Sequence, residues 1–325
     1  MRIGQNSLFL SSLNEIDIIS ESDKENIILI GMGASISNTK ALASFLKTRK
    51  KIIYIDSLEQ EIIDEKLENM TPINSEVIAI SKSGTTDEAI KILKYILEEK
   101  LKNPVCYVVS ENPESELVKI AKLSANYHYI KYETSISGRF AILKNASFIP
   151  LIFAGSDIKK LPQISIDEES YMTLAENLIE NYRQNRKIII ISIYNQKYLG
   201  FAQWLCQIIS ESLGKNGYGI TPIISQGSSD EHSQLQLYLD GGDDKLFYIL
   251  AYNSETNSDL SKAQKNHYEA FLKALEKADR PTIIEESIGF ELILKWMLAT
   301  EYIAKSQNIN PFDQPAVDEA KKLFL

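Results

Sequence analysis

Six short stretches of this chain concentrate residues that can bind anions or move protons. Ser81-Lys82-Ser83-Gly84-Thr85-Thr86 puts four hydroxyls, an ammonium and a glycine between an apolar run and a helical pattern. A helix N-terminus there offers unpaired N–H groups and partial positive charge, and the hydroxyls can donate to phosphate oxygens, so the segment is a candidate phosphate cradle. A Ser/Thr-rich helix cap is the ordinary alternative. Gly31-Met32-Gly33-Ala34-Ser35 repeats the strand–turn–helix setting with Ser35 as its hydroxyl. Gln207 and Glu211 stand four apart, which places them on one helix face. A carboxylate near a helix C-terminus is opposed by the dipole, so Glu211 is either a solvated glutamate or one kept for its chemistry. His232 lies in Gln226-Gly227-Ser228-Ser229-Asp230-Glu231-His232, where Asp230 or Ser229 could cap its helix. Arg139 follows Gly138, and a surface arginine is the alternative to an anion partner. Gln314 and Lys321 are seven apart, roughly on one face of a terminal helix that Pro315 would open.

These stretches need a frame. Apolar runs at 26–31, 51–56, 76–81, 105–110 and 127–132 read as strands, with helical spacing at 37–47 and 86–102. Pro113 suits the start of a further helix, and 141–153 reads as another. The rhythm restarts after a connection at 152–168. Strands are expected at 187–194, 220–225, 245–250 and 282–285, with helices at 169–185, 197–213, 230–239, 261–277 and 290–306. Strands alternating with helices imply mainly parallel sheets covered by helices on both faces. The expected fold class is α/β, two doubly wound domains, 1–155 and 156–325. In such folds ligands bind beyond the carboxyl ends of the strands, so chemistry is expected in the segments that follow strands and between the two domains.

Composition narrows the function classes. Lys plus Arg is 35 and Asp plus Glu 44, a net charge of −9, with no basic cluster to read as a nucleic-acid face. Phosphate can still be held locally by backbone N–H groups and one or two cations. Cys106 and Cys206 both sit in apolar surroundings and read as small buried hydrophobes. With only three His and these two Cys, lacking ligand spacing, no metal site is expected. No apolar run is long enough for a membrane span, and the first residues lack a signal-peptide layout, so the expected location is cytoplasmic.

Taken together, the stretches resemble the phosphoglucose isomerase family, the aldose–ketose isomerases of glucose 6-phosphate and fructose 6-phosphate. The matches are 31–35, 81–86, Ser137-Gly138-Arg139-Phe140, 207–215, 226–241 and 309–321, in the family's order and over nearly the whole chain after residue 25. The resemblance implies two sugar-isomerase (SIS) domains, a phosphorylated hexose substrate and a homodimer. It implies phosphate on Ser81, Ser83 and Thr86, with Lys82 and Ser35 nearby. Glu211 would move a proton between C2 and C1, and Arg139 would stabilise the enediolate. His232, entering from the partner subunit, and Lys321 would assist ring opening. Gln207 and Gln314 would position the sugar. That chemistry needs a base, an electrophile and an acid–base pair, and no metal or organic cofactor. Ala34, Ala141 and Asp318 depart from the family's usual residues, and the chain stops four residues after Lys321. Two alternatives remain at this level. One is a broader isomerase that also accepts mannose 6-phosphate, against which Gln314 counts. The other is a non-catalytic sugar-phosphate-binding regulatory module, which would have no reason to retain Glu211, His232, Arg139 and Lys321 together.

Overall fold

Runs of isoleucine and valine make the sheets, because branched side chains pack well on a pleat buried on both faces. The computed structural model describes residues 20–133, 136–158, 167–254, 256–321 and 323, without the Lys321 side chain. The chain divides into two compact units, Met1–Gln163 and Ile164–Leu325. Part of the connection expected at 152–168, residues 159–166, lies outside the described residues.

In the first unit β1 (Asn26–Gly31), β2 (Lys51–Ile55), β3 (Ser75–Ile80), β4 (Val105–Ser110) and β5 (Tyr127–Lys131) form one sheet. Its order is β2-β1-β3-β4-β5 and every pairing is parallel. Alternation along β1 assigns each helix to a layer. Ile28 and Ile30 face α2 (Gln60–Leu67), α3 (Asp87–Tyr95) and α4 (Glu116–Ala121), whereas Ile27 and Leu29 face α1 (Ala34–Ala43) and α5 (Asn145–Phe153). These four residues of β1 are fully buried, and each such side chain contributes roughly 1.5–3 kcal/mol.

Three local expectations need correction. Helix α2 was not anticipated, since only Ile63 and Leu67 of its eight residues are buried and the pattern is too short to read. The helix expected over 86–102 runs as α3 and then widens into a π turn at Ile96–Lys100, which keeps Ile96 and Leu97 in the core. Pro113 does not open a helix, because α4 begins at Glu116 after Ser115.

The second unit has β6 (Ile188–Ile193), β7 (Thr221–Gln226), β8 (Lys245–Leu250) and β9 (Thr282–Glu285), in the order β7-β6-β8-β9 and again all parallel. Its helices are α6 (Glu168–Arg183), α7 (Leu199–Leu213), α8 (Glu231–Asp240), α9 (Asp259–Lys277), α10 (Glu291–Ser306) and α11 (Pro315–Lys321). α8 and α9 bury Tyr238, Tyr268 and Phe271 against Ile190 and Phe247 of the sheet. On α10, Trp296 donates from Nε1 to the Tyr248 hydroxyl at 3.0 Å, so this aromatic pair is buried with its polar atoms joined.

Glu76 on β3 is the costly residue of the first unit. It is only 2% exposed, and its Oε1 has no hydrogen-bond partner. Burial pushes its carboxyl up to about 7 from an ordinary 4.5, with the Ser22 hydroxyl opposing the shift. Below pH 4.5 the group is protonated whether folded or not, and nothing is lost. Between 4.5 and 7 the unfolded chain ionises first, so stability falls as pH rises and then levels off. Glu76→Gln should therefore gain on the wild type by on the order of 3 kcal/mol between pH 4 and pH 8. Urea unfolding at the two pH values checks this; a variant-to-wild-type gap independent of pH would contradict it.

Candidate active site

At the carboxyl edge of the first sheet, β1 and β3 are neighbours whose following turns belong to opposite helical layers. That is a topological switch point, where open α/β sheets bind ligands. The turns 31–35 and 81–86 both start there. Gly31 is packed so that an added Cβ would lie 3.1 Å from the Ser35 Cβ and 3.3 Å from the Ile80 carbonyl oxygen. Ser35 thus sits beside the end of β3, half-buried in the first turn of α1.

The 81–86 turn is organised by its own hydroxyls. The Ser81 and Thr86 hydroxyls lie 2.9 Å apart, and Gly84 N–H donates to Ser81 Oγ at 3.1 Å. Ser83 Oγ accepts from Thr85 N–H at 3.2 Å. Ser81 is buried, Thr86 half-buried and Ser83 exposed. Gly84 has φ +69°, and a Cβ there would fall 2.2 Å from Ser115 Oγ, so the turn requires glycine twice over. The sequence suggested that Gly84 lets a ligand approach; in the structure its close neighbour is the turn ahead of α4.

Arg139 joins this edge. It lies in a short 3-10 turn, Gly138–Leu143, that precedes α5, and it is 2% exposed, which removes the surface-arginine alternative. Asn38 of α1 donates to the Gly138 carbonyl at 3.0 Å, and Gly138 packs against Ala34. Lys82 Nζ donates to the Ile136 carbonyl at 3.4 Å and lies 4.0 Å from Glu111. Ser35, Ser81, Lys82, Ser83, Thr86 and Arg139 are therefore gathered at one edge of one sheet. Asn38, whose role the sequence did not signal, ties α1 to the arginine turn.

If this cradle binds phosphate, replacing Ser83 and Thr86 by alanine should weaken a phosphosugar inhibitor while the fold stays intact. Each neutral hydrogen bond contributes only about 1 kcal/mol to stability. Titration calorimetry showing equal affinity in the double variant would remove the turn from the site.

In the second unit two of the candidate residues lie away from the carboxyl ends of the strands. Gln207 and Glu211 lie on α7, whose last residue is Leu213, and Thr221 N–H, at the start of β7, bonds the Lys187 carbonyl ahead of β6. Glu211, two residues from the end of α7, thus lies toward the amino-terminal edge of the sheet, with Gln207 one turn farther back along the helix. Both are half-buried, and Gln207 Nε2 donates to Glu211 Oε1 at 3.0 Å. Lys215 closes this edge, and nothing in its spacing had marked it. Its side chain is 10% exposed and its ammonium donates to the Asn310 and Asp313 carbonyls, with the Asp313 carboxylate at 2.9 Å. That anchor brings the 309–314 loop, and so Gln314 and α11, to the end of α7. Gln314 Nε2 lies 3.5 Å from Asp318 Oδ1. The Lys321 side chain lies outside the described residues.

His232 is elsewhere. It is exposed in the first turn of α8, beyond the carboxyl end of β7. The six residues of β7, about 20 Å of strand, separate its edge from that of Glu211. Asp230, one of the two residues offered as a cap for α8, makes no side-chain cap; its carboxylate accepts from Gln226 N–H at 2.7 Å.

Burial pushes the Cys106 thiol up to about 12 and the half-buried Cys206 thiol up to about 11, so both stay protonated and inert at neutral pH. Among the described residues no cluster of His, Cys, Asp and Glu is arranged to hold a metal, and no helix is long and apolar enough to cross a membrane.

No family model matches the chain. It is similar to a Methanococcus maripaludis protein named "Probable glucose-6-phosphate isomerase", 29% identical over 92% of this chain and 77% of that protein. It is also similar to the glucose-6-phosphate isomerase of Campylobacter jejuni, 27% identical over 99% of this chain and 91% of that one. Its fold matches a crystal structure of a glucose-6-phosphate isomerase from Chlamydia trachomatis, with a TM-score of 0.72 at 17% identity, covering 98% of this chain and 72% of that one.

Proposed function

We propose, from the premise that this chain belongs to the glucose-6-phosphate isomerase family, that it interconverts glucose 6-phosphate and fructose 6-phosphate. The observation that carries the proposal is coverage: proteins of that name align with nearly the whole chain, both units included.

Each step then falls to a named side chain. The 81–86 turn and Ser35 hold the phosphate through hydroxyls and backbone N–H groups, with Lys82 adding charge. His232 and Lys321 move the proton that opens the sugar ring. Glu211 removes the proton from C2, leaving an enediolate, and returns it to C1, while the O2 hydroxyl proton passes to O1 as the C2 carbonyl forms. Arg139 stabilises the enediolate, which a guanidinium suits because it stays charged throughout. The Gln207 amide, donating to Glu211 Oε1, orients the base and with Gln314 positions the sugar.

His232 acts on the site of a neighbouring copy of the chain in a cytoplasmic homodimer. Two features support this. Within the second unit His232 and Glu211 occupy opposite edges of the sheet. The His232 surface is also poorly covered: β7 is an edge strand with Ile223 42% exposed, and Leu237 of α8 is 50% exposed. Edge strands and exposed apolar residues are what a second copy would cover.

The test supplies fructose 6-phosphate and follows glucose 6-phosphate with a coupling dehydrogenase. Sustained product formation is expected, and mannose 6-phosphate offered in parallel should give little turnover. Purified, folded protein that formed no glucose 6-phosphate would sink the proposal.

A further inference from the structure

The turn that presents His232 is held far more firmly than its exposure requires. Ser228 sits at φ +59°, a left-handed conformation that costs a non-glycine residue energy and persists only where neighbours enforce it. An added Cβ on Gly227 would lie 2.4 Å from the Tyr194 ring, so the backbone rests directly on that aromatic face. Gly227 N–H also bonds the Ile193 carbonyl at 2.7 Å.

Glu231 is where these restraints converge. Its Oε1 accepts from the Tyr194 hydroxyl at 2.6 Å and faces Ser228 N–H at 3.4 Å. Its Oε2 lies 2.8 Å from His267 Nδ1 on α9. An ionised carboxylate only accepts, so Nδ1 carries the proton in that bond. One half-buried carboxylate, adjacent in sequence to His232, thus links the segment after β6, the turn itself and α9.

We propose that Glu231 is a positioning residue: its carboxylate, bound at once by Tyr194 and His267, locks the 226–232 turn and sets where the His232 imidazole is presented. The inference rests on the proposed role of His232 in ring opening. A misplacement of about 1 Å in a reacting group can cost about 10²-fold in rate, so a rigid mount has a kinetic purpose that an ordinary surface turn lacks.

The test is a double-mutant cycle on fructose 6-phosphate turnover, using Glu231→Ala, His232→Ala and the double variant. Glu231→Ala should lower kcat by up to about 10²-fold with KM little changed. On the His232→Ala background the same substitution should cost nothing further, because Glu231 acts only through that imidazole. Glu231→Gln, which keeps an acceptor for Tyr194 and Ser228, should recover part of the loss. Tyr194→Phe keeps the ring under Gly227 and removes only the hydroxyl. It should show a smaller loss with the same dependence on His232, and it carries the test if Glu231→Ala does not fold. Losses that multiply in the double variant, or wild-type kcat in Glu231→Ala, would overturn the proposal. Wild-type turnover in His232→Ala would instead strike at the ring-opening role itself, a separate outcome read from a separate protein.

Discussion

Glu211→Gln is expected to bind substrate with near-normal affinity while turnover falls roughly 10²–10⁴-fold, the loss that follows removal of a positioned general base. The substitution is close to isosteric. Its amide oxygen can still accept from Gln207 Nε2, which now bonds Glu211 at 3.0 Å, so α7 and the Lys215-anchored loop should stay in place. The amide cannot take the C2 proton, so the defect should appear in kcat with little change in KM. Solvent deuterium should also cease to enter the recovered sugar phosphate, since that exchange requires the base. Near wild-type turnover in the purified variant would show that another group abstracts the proton.

The second prediction concerns assembly. His232→Ala and Glu211→Gln should each be nearly inactive, yet mixing the two and letting subunits exchange should restore activity. In a heterodimer, the site that carries the Glu211→Gln change receives the alanine-bearing partner and inherits both defects. The other site combines an intact Glu211 with an intact His232. Half of the heterodimer sites should therefore work, an argument from two-fold symmetry that needs no new energy term. It rests on the proposed role of His232 in a neighbouring copy's site and on His232 and Glu211 lying toward opposite edges of the sheet in their own unit. Mixtures shown to contain heterodimers but as inactive as their parents would place His232 in its own chain's site, or outside catalysis.

Much of the architecture was legible from local pattern. Ile27 to Ile30 of β1 and Ile188 to Ile191 of β6 are branched runs too apolar for an exposed strand, and their spacing from the next helical stretch left little choice but parallel sheets. The segments with hydroxyls and glycines also declared themselves, because an unpaired helix N-terminus after a buried strand is a local feature. Less visible were elements whose stability comes from neighbours. α2 buries only two side chains, and the π turn after α3 carries Ile96 and Leu97 in a core that no local window displays.

By itself the sequence determined the α/β class, the strands and most of the helices, and the candidate residues for binding phosphate or moving a proton. Hydrophobic period, turn chemistry and residue type all act within a few positions of one another. Tertiary structure alone decided which of those residues meet. Strand order placed the 31–35 and 81–86 turns side by side across β1 and β3, although about fifty residues part them. It buried Arg139, carried Glu211 to the amino-terminal edge of its sheet and left His232 at the other. It also gave Lys215 and Glu231 their partners, Asp313, Tyr194 and His267, each more than thirty positions away. Long-range pairing depends on which strands become neighbours, and no local window of the chain contains that information.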